Sequence, residues 1–345
     1  MSPSTVLVTG ASRFIGGHLA ARLAADPGID RVIALDTTPP RPELSRWLGR
    51  AEVVTVDLRN PLIAKVIADA RVDTVVHASM IAAARTGGSR DVLKQVNVLG
   101  TMQLLAACQR SKTVTQLVVK STGAVYGASS RDQAVFTEGD EANEIPASGY
   151  VKDVVDVEGY LRGFIRRRPD VDVTVLRFAN VIGPRIDTVL SRYFALRIVP
   201  TVLGYDGRLQ LLHEEDALTV LERATRVRLP GVFNIGGDGV LLVSQAIRRA
   251  GGIAVPVPGP VVGTVARLLR AARSVDYSPD YVRFLSFGRV LDITRLRTEF
   301  GFTPRWTTVQ AFDDYVRARA LRPAIDPVWV TTAQRCTLGL AAQLR

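Results

Sequence analysis

The sequence predicts an α/β protein built around a doubly wound parallel sheet. Short, continuous apolar runs rich in Val and Ile alternate with longer segments whose apolar residues recur every three or four positions. The first pattern is typical of strands buried on both faces, and the second is typical of amphipathic helices. The chain has 345 residues, of which 47% are hydrophobic, and this is enough to enclose such a sheet between helices.

The predicted elements begin close to the N-terminus. Residues 5–9 form the first strand, and Ile15, Leu19 and Leu23 then recur at helical spacing. The other predicted strands, all expected to be buried, are 31–36, 52–57, 73–79, 116–122 and 173–178, and the predicted helices are 62–70, 91–110 and a segment that starts near Tyr150. Strands that alternate with helices form βαβ units, so we expect a Rossmann-type fold.

The pattern loosens after residue 184, where Pro and Gly become frequent in 183–188, 199–207 and 255–263. We therefore expect residues 1–184 to form the Rossmann domain. Residues 185–321 are expected to form a smaller C-terminal substrate domain with returns to the Rossmann sheet. Residues 322–345 are expected to form a tail.

The composition excludes several classes of protein. Two cysteines, Cys108 and Cys336, are too few for a disulfide scaffold or a four-cysteine zinc site. Three histidines, His18, His77 and His213, make a histidine-rich metal site unexpected, and we predict no metal.

The formal net charge of +11 suits an anionic partner. The basic residues are mostly scattered arginines without a nucleic-acid motif, so we do not expect nucleic acid to be the partner. No apolar run reaches the roughly 18 to 20 residues that span a bilayer, and the N-terminus enters a strand without a signal peptide. We expect a soluble, cytoplasmic protein.

The turn between the first strand and the first helix carries glycines at Gly10 and Gly16. Such a turn lets the backbone approach a pyrophosphate at the N-terminus of the helix. Asp36, which ends the second strand, is positioned to hydrogen-bond the ribose hydroxyls of an adenosine, and Asp57 is positioned to border the adenine. These features together predict dinucleotide binding.

Seven ordered motifs between residues 5 and 316 resemble those of extended short-chain dehydrogenase/reductases, in particular NAD-dependent epimerases and dehydratases of the UDP-galactose 4-epimerase type. The motifs are TGASRFIG (9–16), VHAS (76–79), NVLGT (97–101), STGAVYG (121–127), LRFANVIGP (176–184), HEED (213–216) and NIGG (234–237). The resemblance implies NAD as cofactor. It also implies cofactor contacts at Gly10, Ser12, Arg13, Phe14, Ile15, Gly16, Asp36, Asp57, Leu58, His77, Ala78, Ser79 and Asn97.

Arg13 replaces the middle glycine of the family's loop. It can pair with phosphate oxygens, crowd the dinucleotide or point outward. In single-domain relatives a basic residue at this point binds the 2′-phosphate of NADP. Asp36 would repel that phosphate, so we expect NAD rather than NADP.

The catalytic motif departs from the family at one position. The resemblance implies that Thr122 and Tyr150 are the catalytic Ser/Thr and Tyr, but Val154 stands where the family has a lysine. Lys152 lies about 200° around the helix from Tyr150 and should point away. Lys120 shares a strand face with Thr122, and we hypothesise that it is a relocated cation near the nicotinamide.

Other positions narrow the expected reaction. Dehydratases of the family carry Asp-Glu where this chain has Gly123 and Ala124, so dehydration is disfavoured. The resemblance implies substrate contacts at Ala124, Tyr126, Asn180 and Arg208, the last one residue away from the family's usual arginine position. The expected substrate is a nucleotide sugar or a related hydroxyl compound. Relatives dimerise through two helices, which here are 91–110 and 150–164, so we expect a homodimer.

Two alternatives stay open at this stage. This chain lacks both the middle glycine of the family's loop and the family's catalytic lysine. Their absence is compatible with a dinucleotide-binding protein that has little or no catalytic activity, such as a redox sensor or a partner subunit. Residues 261–274 are apolar on one side and basic on the other, which is compatible with a peripheral membrane contact and a lipid-like hydroxyl substrate, although helix packing is the simpler interpretation.

Overall fold

The computed structural model describes residues 4–81, 90–258, 261–264 and 278–321. The strands are β1 (Thr5–Thr9), β2 (Arg31–Asp36), β3 (Glu52–Thr55), β4 (Thr74–His77), β5 (Gln116–Thr122), β6 (Asp172–Phe178), β7 (Asn180–Ile182), β8 (Ile198–Val202), β9 (Arg208–Leu209), β10 (Leu211–His213), β11 (Gly231–Ile235), β12 (Leu241–Leu242), β13 (Ile253–Val257) and β14 (Gly288–Arg289).

The α-helices are α1 (Phe14–Ala25), α2 (Pro42–Ser45), α3 (Leu62–Asp69), α4 (Arg90–Lys94), α5 (Gly100–Arg110), α6 (Tyr150–Arg167), α7 (Val189–Phe194), α8 (Glu214–Arg226), α9 (Val243–Arg249), α10 (Pro279–Phe287), α11 (Thr294–Thr298) and α12 (Thr308–Ala318). A π-helical turn, Gln95–Leu99, joins α4 to α5, and a 3₁₀ turn, Gly123–Tyr126, follows β5.

The central sheet has seven parallel strands in the order β11-β6-β5-β4-β1-β2-β3. This arrangement confirms the predicted Rossmann-type fold. The chain winds outward from β1 in one direction through β2 and β3, and then in the other direction through β4, β5 and β6. The crevice between β1 and β4 is therefore the point where the order reverses, which is where open α/β sheets bind ligands.

Alternate residues of each strand enter two separate cores. From β1, Leu7 faces one core while Val6 and Val8 face the other. On β5, Leu117 faces the first core and Val118 the second. Both faces of the sheet are therefore covered, which accounts for the nearly continuous apolar strands.

Two elements differ from the prediction. The third strand was expected to be buried, but β3 is the edge of the sheet and Val53 is 45% exposed. An edge strand has a neighbour on one side only, so its apolar residues keep contact with solvent. The predicted helix 91–110 is present, but it is interrupted by the π-helical turn that carries Asn97.

The C-terminal part of the chain adds a third core, which includes Leu190, Leu209 and Phe312. The predicted return to the main sheet is made by β11, which pairs in parallel with β6. The boundary after residue 184 stays a prediction. Residues 265–274 of the amphipathic segment and the tail 322–345 lie outside the described residues. In the described ranges no helix has the length and apolar character needed to cross a bilayer.

Candidate active site

The glycine-rich loop joins β1 to α1 at the crevice where the sheet order reverses. Gly10 has a φ of 77°, in the left-handed region that favours glycine. A Cβ on Gly16 would lie 2.3 Å from the Gly10 carbonyl oxygen, so this position has no room for a side chain. Gly10 also packs against the backbone of Ala78 and Ser79, where an added Cβ would lie only 3.0 to 3.1 Å away. The loop thus forms a close-packed backbone cradle of the kind that receives a pyrophosphate.

Arg13 fits this loop without strain. It caps α1 with a φ of −103°, an ordinary extended conformation, so the backbone needs no glycine there. Its positive charge contributes to the lowered pKa of Lys120. The phosphate contact of Arg13 stays a prediction. Ile15 lines the cavity described below, whereas Arg185 lies over the Phe14 ring at 5.3 Å from its centroid.

Asp36 holds the glycine-rich loop in place. Its Oδ2 accepts hydrogen bonds from the Ser12 backbone N–H at 2.9 Å and from the Ser12 hydroxyl at 2.6 Å. Its Oδ1 accepts one from the Thr37 N–H at 2.7 Å. The carboxylate therefore lies at the end of β2, as predicted. The groups of Ser12 and Thr37 that donate hydrogen bonds to it are small, and ribose hydroxyls are able to replace them.

The structure modifies the predictions for Asp57 and Leu58. Arg59 donates to both oxygens of Asp57, at 2.6 Å for the shortest contact, and this hydrogen bonding lowers the pKa of the carboxyl group. Arg59 also reaches the Gln95 side chain at 3.0 Å, so the border of the crevice includes a cation that the sequence did not single out. The Leu58 side chain belongs to the core, and its contact with the cofactor stays a prediction.

His77 and Asn97 have structural partners instead of facing a ligand. His77 lies between the hydroxyls of Thr9 and Thr101, each 2.9 Å from a ring nitrogen, and burial lowers its pKa to about 4, so the ring is neutral. The Asn97 amide bonds both the N–H and the C=O of Ile81 at 2.9 Å. Both side chains fix the backbone around the crevice. Direct cofactor contacts by these two residues stay a prediction.

Thr122 and Tyr150 line the same cavity. The Thr122 hydroxyl acts on the phenol and lowers its pKa, which favours the ionised form. Removal from water has the larger opposite effect, and it raises the pKa of Tyr150 to about 12. The carboxylate of Asp153 raises this pKa further, whereas the charges of Arg289 and Arg90 lower it.

The start of α6, where Tyr150 lies, is held by α10. The carboxylate of Asp280 accepts a hydrogen bond from the Val151 N–H at 3.3 Å. A Cβ on the preceding residue, Gly149, would lie 2.3 Å from that carboxylate, and the φ of Gly149 is 117°. Glycine is therefore required at 149, because the C-terminal part of the chain packs directly on the turn that presents Tyr150.

No cation takes the place of the family lysine on α6 in the described structure. Val154 is 0% exposed and lies in the core. Lys152 turns away from Tyr150, as predicted, and forms an ion pair with Asp156 at 2.5 Å. Lys120 instead lines the same cavity as Thr122 and Tyr150, 5.5 Å from the centroid of the Phe178 ring. Burial and the charge of Arg13 lower the pKa of Lys120 to about 8.

A cavity of about 220 Å³ adjoins these groups. Besides Lys120, Thr122 and Tyr150, its wall includes two of the predicted substrate contacts, Ala124 and Asn180. Most of the remaining wall is apolar and comes from both parts of the chain. These apolar side chains are Ile15, Met80, Val151, Phe178, Ala179, Val181, Ile186, Val189, Leu190 and Phe284.

Tyr126 and Arg208 are not among the cavity-lining residues. Tyr126 is fully buried, donates to the Asn234 side chain at 2.8 Å and accepts from Arg177 at 2.8 Å. Arg208 lies on β9, between β12 and β14. The predicted substrate contacts of these two residues are therefore corrected: Tyr126 is part of a buried polar network, and Arg208 belongs to a small second sheet.

Sequence reasoning missed the C-terminal part of the site. Asp280, Tyr281, Phe284 and Arg289 all line the cavity, although the last lies 139 residues after Tyr150 in the chain. Arg289 reaches the cavity because β14 pairs with β9, a long-range contact. The available signal was Gly288, whose φ of 74° marks a sharp turn directly before the arginine.

The parallel sheet, the glycine cradle at its reversal point and the Thr122–Tyr150 pair define a Rossmann-type protein of the extended short-chain dehydrogenase/reductase class. The chain belongs to the NAD-dependent epimerase/dehydratase family, whose model matches residues 6–236. An uncharacterized protein of Mycobacterium tuberculosis is 53% identical over 339 residues, which cover 98% of this chain and 90% of that protein.

Solved structures share the fold. The UDP-glucose 4-epimerase of Thermotoga maritima, solved with UDP-glucose, superposes with a TM-score of 0.70 at 21% identity, covering 92% of this chain and 98% of the other. MoeE5, solved in complex with UDP-glucose and NAD, superposes with a TM-score of 0.65 at 26% identity, covering 92% of this chain and 100% of the other.

Proposed function

We propose that the protein is an NAD-dependent epimerase or oxidoreductase that acts on a hydroxyl group of a nucleotide-activated sugar. The observation that carries this proposal is that Thr122 and Tyr150 line one cavity, which the glycine-rich loop also reaches through Ile15. A phenol and a hydroxyl beside a dinucleotide cradle are suited to proton transfer at a carbinol.

The residues of the crevice fit NAD. The cradle at Gly10 and Gly16 would receive the pyrophosphate, with Arg13 adding a positive charge beside it. Asp36 would accept the ribose hydroxyls in place of the Ser12 and Thr37 hydroxyls, and its charge opposes the 2′-phosphate of NADP. Bound NAD would supply an acceptor for the hydride of the carbinol carbon.

The chain's own groups handle the proton and the orientation of the substrate. Thr122 holds the oxygen of the reacting hydroxyl. Because the pKa of Tyr150 is raised to about 12, the phenol first releases its own proton to solvent, and the charges of Arg289 and Arg90 favour the resulting phenolate. The phenolate then takes the proton of the hydroxyl. For epimerisation Tyr150 returns the proton to that oxygen once the configuration at carbon has inverted. Lys120 takes the role of the lysine that the family has one helical turn after the tyrosine. The support for this role is that Lys120 lines the same cavity as Tyr150.

The first experiment identifies the nucleotide that the purified protein carries. The protein is denatured, and the released small molecules are identified by mass spectrometry. We expect NAD, followed by interconversion of at least one member of a panel of UDP- and dTDP-sugars. A protein that releases no nucleotide and shows no thermal shift with NAD or NADP is instead a non-catalytic scaffold, and one that holds NAD without turnover is a binding or sensing protein.

A further inference from the structure

The cavity contains two cations without an ion-pair partner among the described residues, Lys120 and Arg289. Neither has a carboxylate within the 4.0 Å that defines an ion pair, although both are partly withdrawn from water. A partly buried positive charge without a counter-charge is costly, and a ligand anion removes this cost. Asp280 also lines the cavity, so the two cations leave one positive charge in excess, which favours negative charge on the ligand.

The two cations have different surroundings. Lys120 lies 5.5 Å from the centroid of the Phe178 ring on β6, and the charge of Arg13 in the glycine-rich loop acts on it. Arg289 lies 5.4 Å from the centroid of the Phe284 ring, which belongs to the C-terminal part of the chain. Lys120 is therefore the cation that the parallel sheet brings to the cavity, and Arg289 is the one that the C-terminal part adds.

The guanidinium of Arg289 is held rigidly by one edge. Its Nε donates to the Gly127 carbonyl oxygen at 2.8 Å, and its Nη2 donates to the same oxygen. The second terminal nitrogen, Nη1, has no hydrogen-bond partner in the part of the chain that the structure describes. Two carboxylates, Asp132 and Asp280, act on Arg289 electrostatically but do not reach ion-pair distance. A fixed guanidinium with a free edge suits a planar anion such as a carboxylate.

We propose that Arg289 binds a carboxylate carried on the sugar ring of the substrate, so that the substrate class is an acidic nucleotide sugar of the uronic acid type. This inference rests on the proposed function. The sugar's diphosphate is the other possible source of negative charge. We assign the contact to a ring carboxylate because Arg289 lines the same cavity as Thr122 and Tyr150, the residues at the reacting hydroxyl, whereas the diphosphate is attached at the anomeric carbon.

The test compares two ligands that share the diphosphate and differ by one carboxylate. The NAD-loaded full-length protein is titrated with UDP-glucuronic acid and with UDP-glucose in a calorimeter. We expect the acid to bind at least about ten-fold more tightly, as a charge-assisted hydrogen bond predicts. In Arg289→Gln this preference disappears, and in Arg289→Lys part of it remains. The matched control is Arg283→Gln, whose arginine is exposed and 3.6 Å from Glu144, and which keeps the preference.

Each other outcome overturns the inference in a recognisable way. Equal affinity for the two ligands in the unmodified protein removes the carboxylate subsite while leaving the proposed function intact. Equal weakening of both ligands in Arg289→Gln assigns the arginine to the diphosphate. Binding of neither ligand to a protein that holds NAD contradicts the proposed nucleotide-sugar function as well. Circular dichroism and thermal melting of each variant separate loss of binding from loss of folding.

Discussion

Thr122, at the end of β5, and Tyr150, the first residue of α6, line the same cavity, where the Thr122 hydroxyl opposes the rise in the pKa of the phenol. The two residues are 28 positions apart in the chain, and the loop between them is held by contacts with the C-terminal part of the protein. The pair therefore exists only when both parts of the chain are folded together. Four predictions follow from the surroundings of this pair.

Replacing Tyr150 by Phe removes the phenol oxygen but keeps the ring. We expect turnover to fall by about 10²- to 10⁴-fold, the usual contribution of a general acid or base, while the affinity for NAD changes little. Steady-state kinetics on the substrate found in the sugar panel measures the loss. Tyr160→Phe, on the same helix but at an exposed position, is the matched control. Turnover that survives in Tyr150→Phe contradicts the assignment.

The charge of Lys120 gives NAD binding a specific pH dependence. Because the pKa of Lys120 is lowered to about 8, its cation is fully present below that pH and is lost as the pH rises through it. We expect NAD affinity to weaken between pH about 8 and about 10, measured by calorimetry. Lys120→Arg should abolish this decline, because arginine stays charged. Lys120→Met should weaken binding below pH about 8 and remove the pH dependence, because it lacks the cation at every pH.

The exposed Lys152 provides the control for this experiment, because its ammonium pairs with Asp156 and points away from the cavity. Lys152→Met should keep the affinity and the pH profile of the unmodified protein. A profile that is identical in the unmodified protein and in Lys120→Met would show that Lys120 does not act on the cofactor.

Asp36 is predicted to determine which dinucleotide binds. The unmodified protein should bind NAD at least about ten-fold more tightly than NADP, because the carboxylate repels a 2′-phosphate. Asp36→Asn removes the charge and keeps an acceptor for the donors of either Ser12 or Thr37 but not for both, so the preference should shrink mainly through better NADP binding. Thermal-shift titrations with both cofactors measure the ratio. Asp26→Asn, remote from this turn, is the control, and equal affinities in the unmodified protein contradict the prediction.

A homodimer is predicted from exposed apolar residues on two neighbouring helices. Leu99 and Met102 are exposed beside α5, and Tyr160 and Ile165 are exposed on α6, which packs against α5. We expect light scattering to give the mass of a dimer and Leu99→Arg to give a monomer, because a charge in this surface opposes burial. Leu203→Arg, at a 56% exposed position in the C-terminal part, should remain dimeric. A monomeric unmodified protein at micromolar concentration refutes this prediction.

Much of the fold could be read from the sequence because the information is local. The apolar run 5–9, Gly10, Gly16 and Asp36 are close together in the chain, and backbone sterics require glycine where the loop turns and packs. Thr122 and Tyr150 were identified from their short motifs. The register of α6 was also readable, since Lys152 points away from the site as its helical spacing predicts.

The roles of individual side chains depended on contacts across the whole chain. Tyr126 resembles a pocket residue in sequence, yet Arg177 and Asn234, far away in the chain, take up its hydroxyl. His77 is neutral because Thr9 and Thr101 enclose it. Arg289 enters the cavity only because β14 pairs with β9. The local spacing of residues in the sequence therefore determined the sheet and the glycine-rich loop. Tertiary packing decided which polar groups face the ligand, because burial and long-range contacts determine which hydrogen-bonding groups are already occupied within the protein.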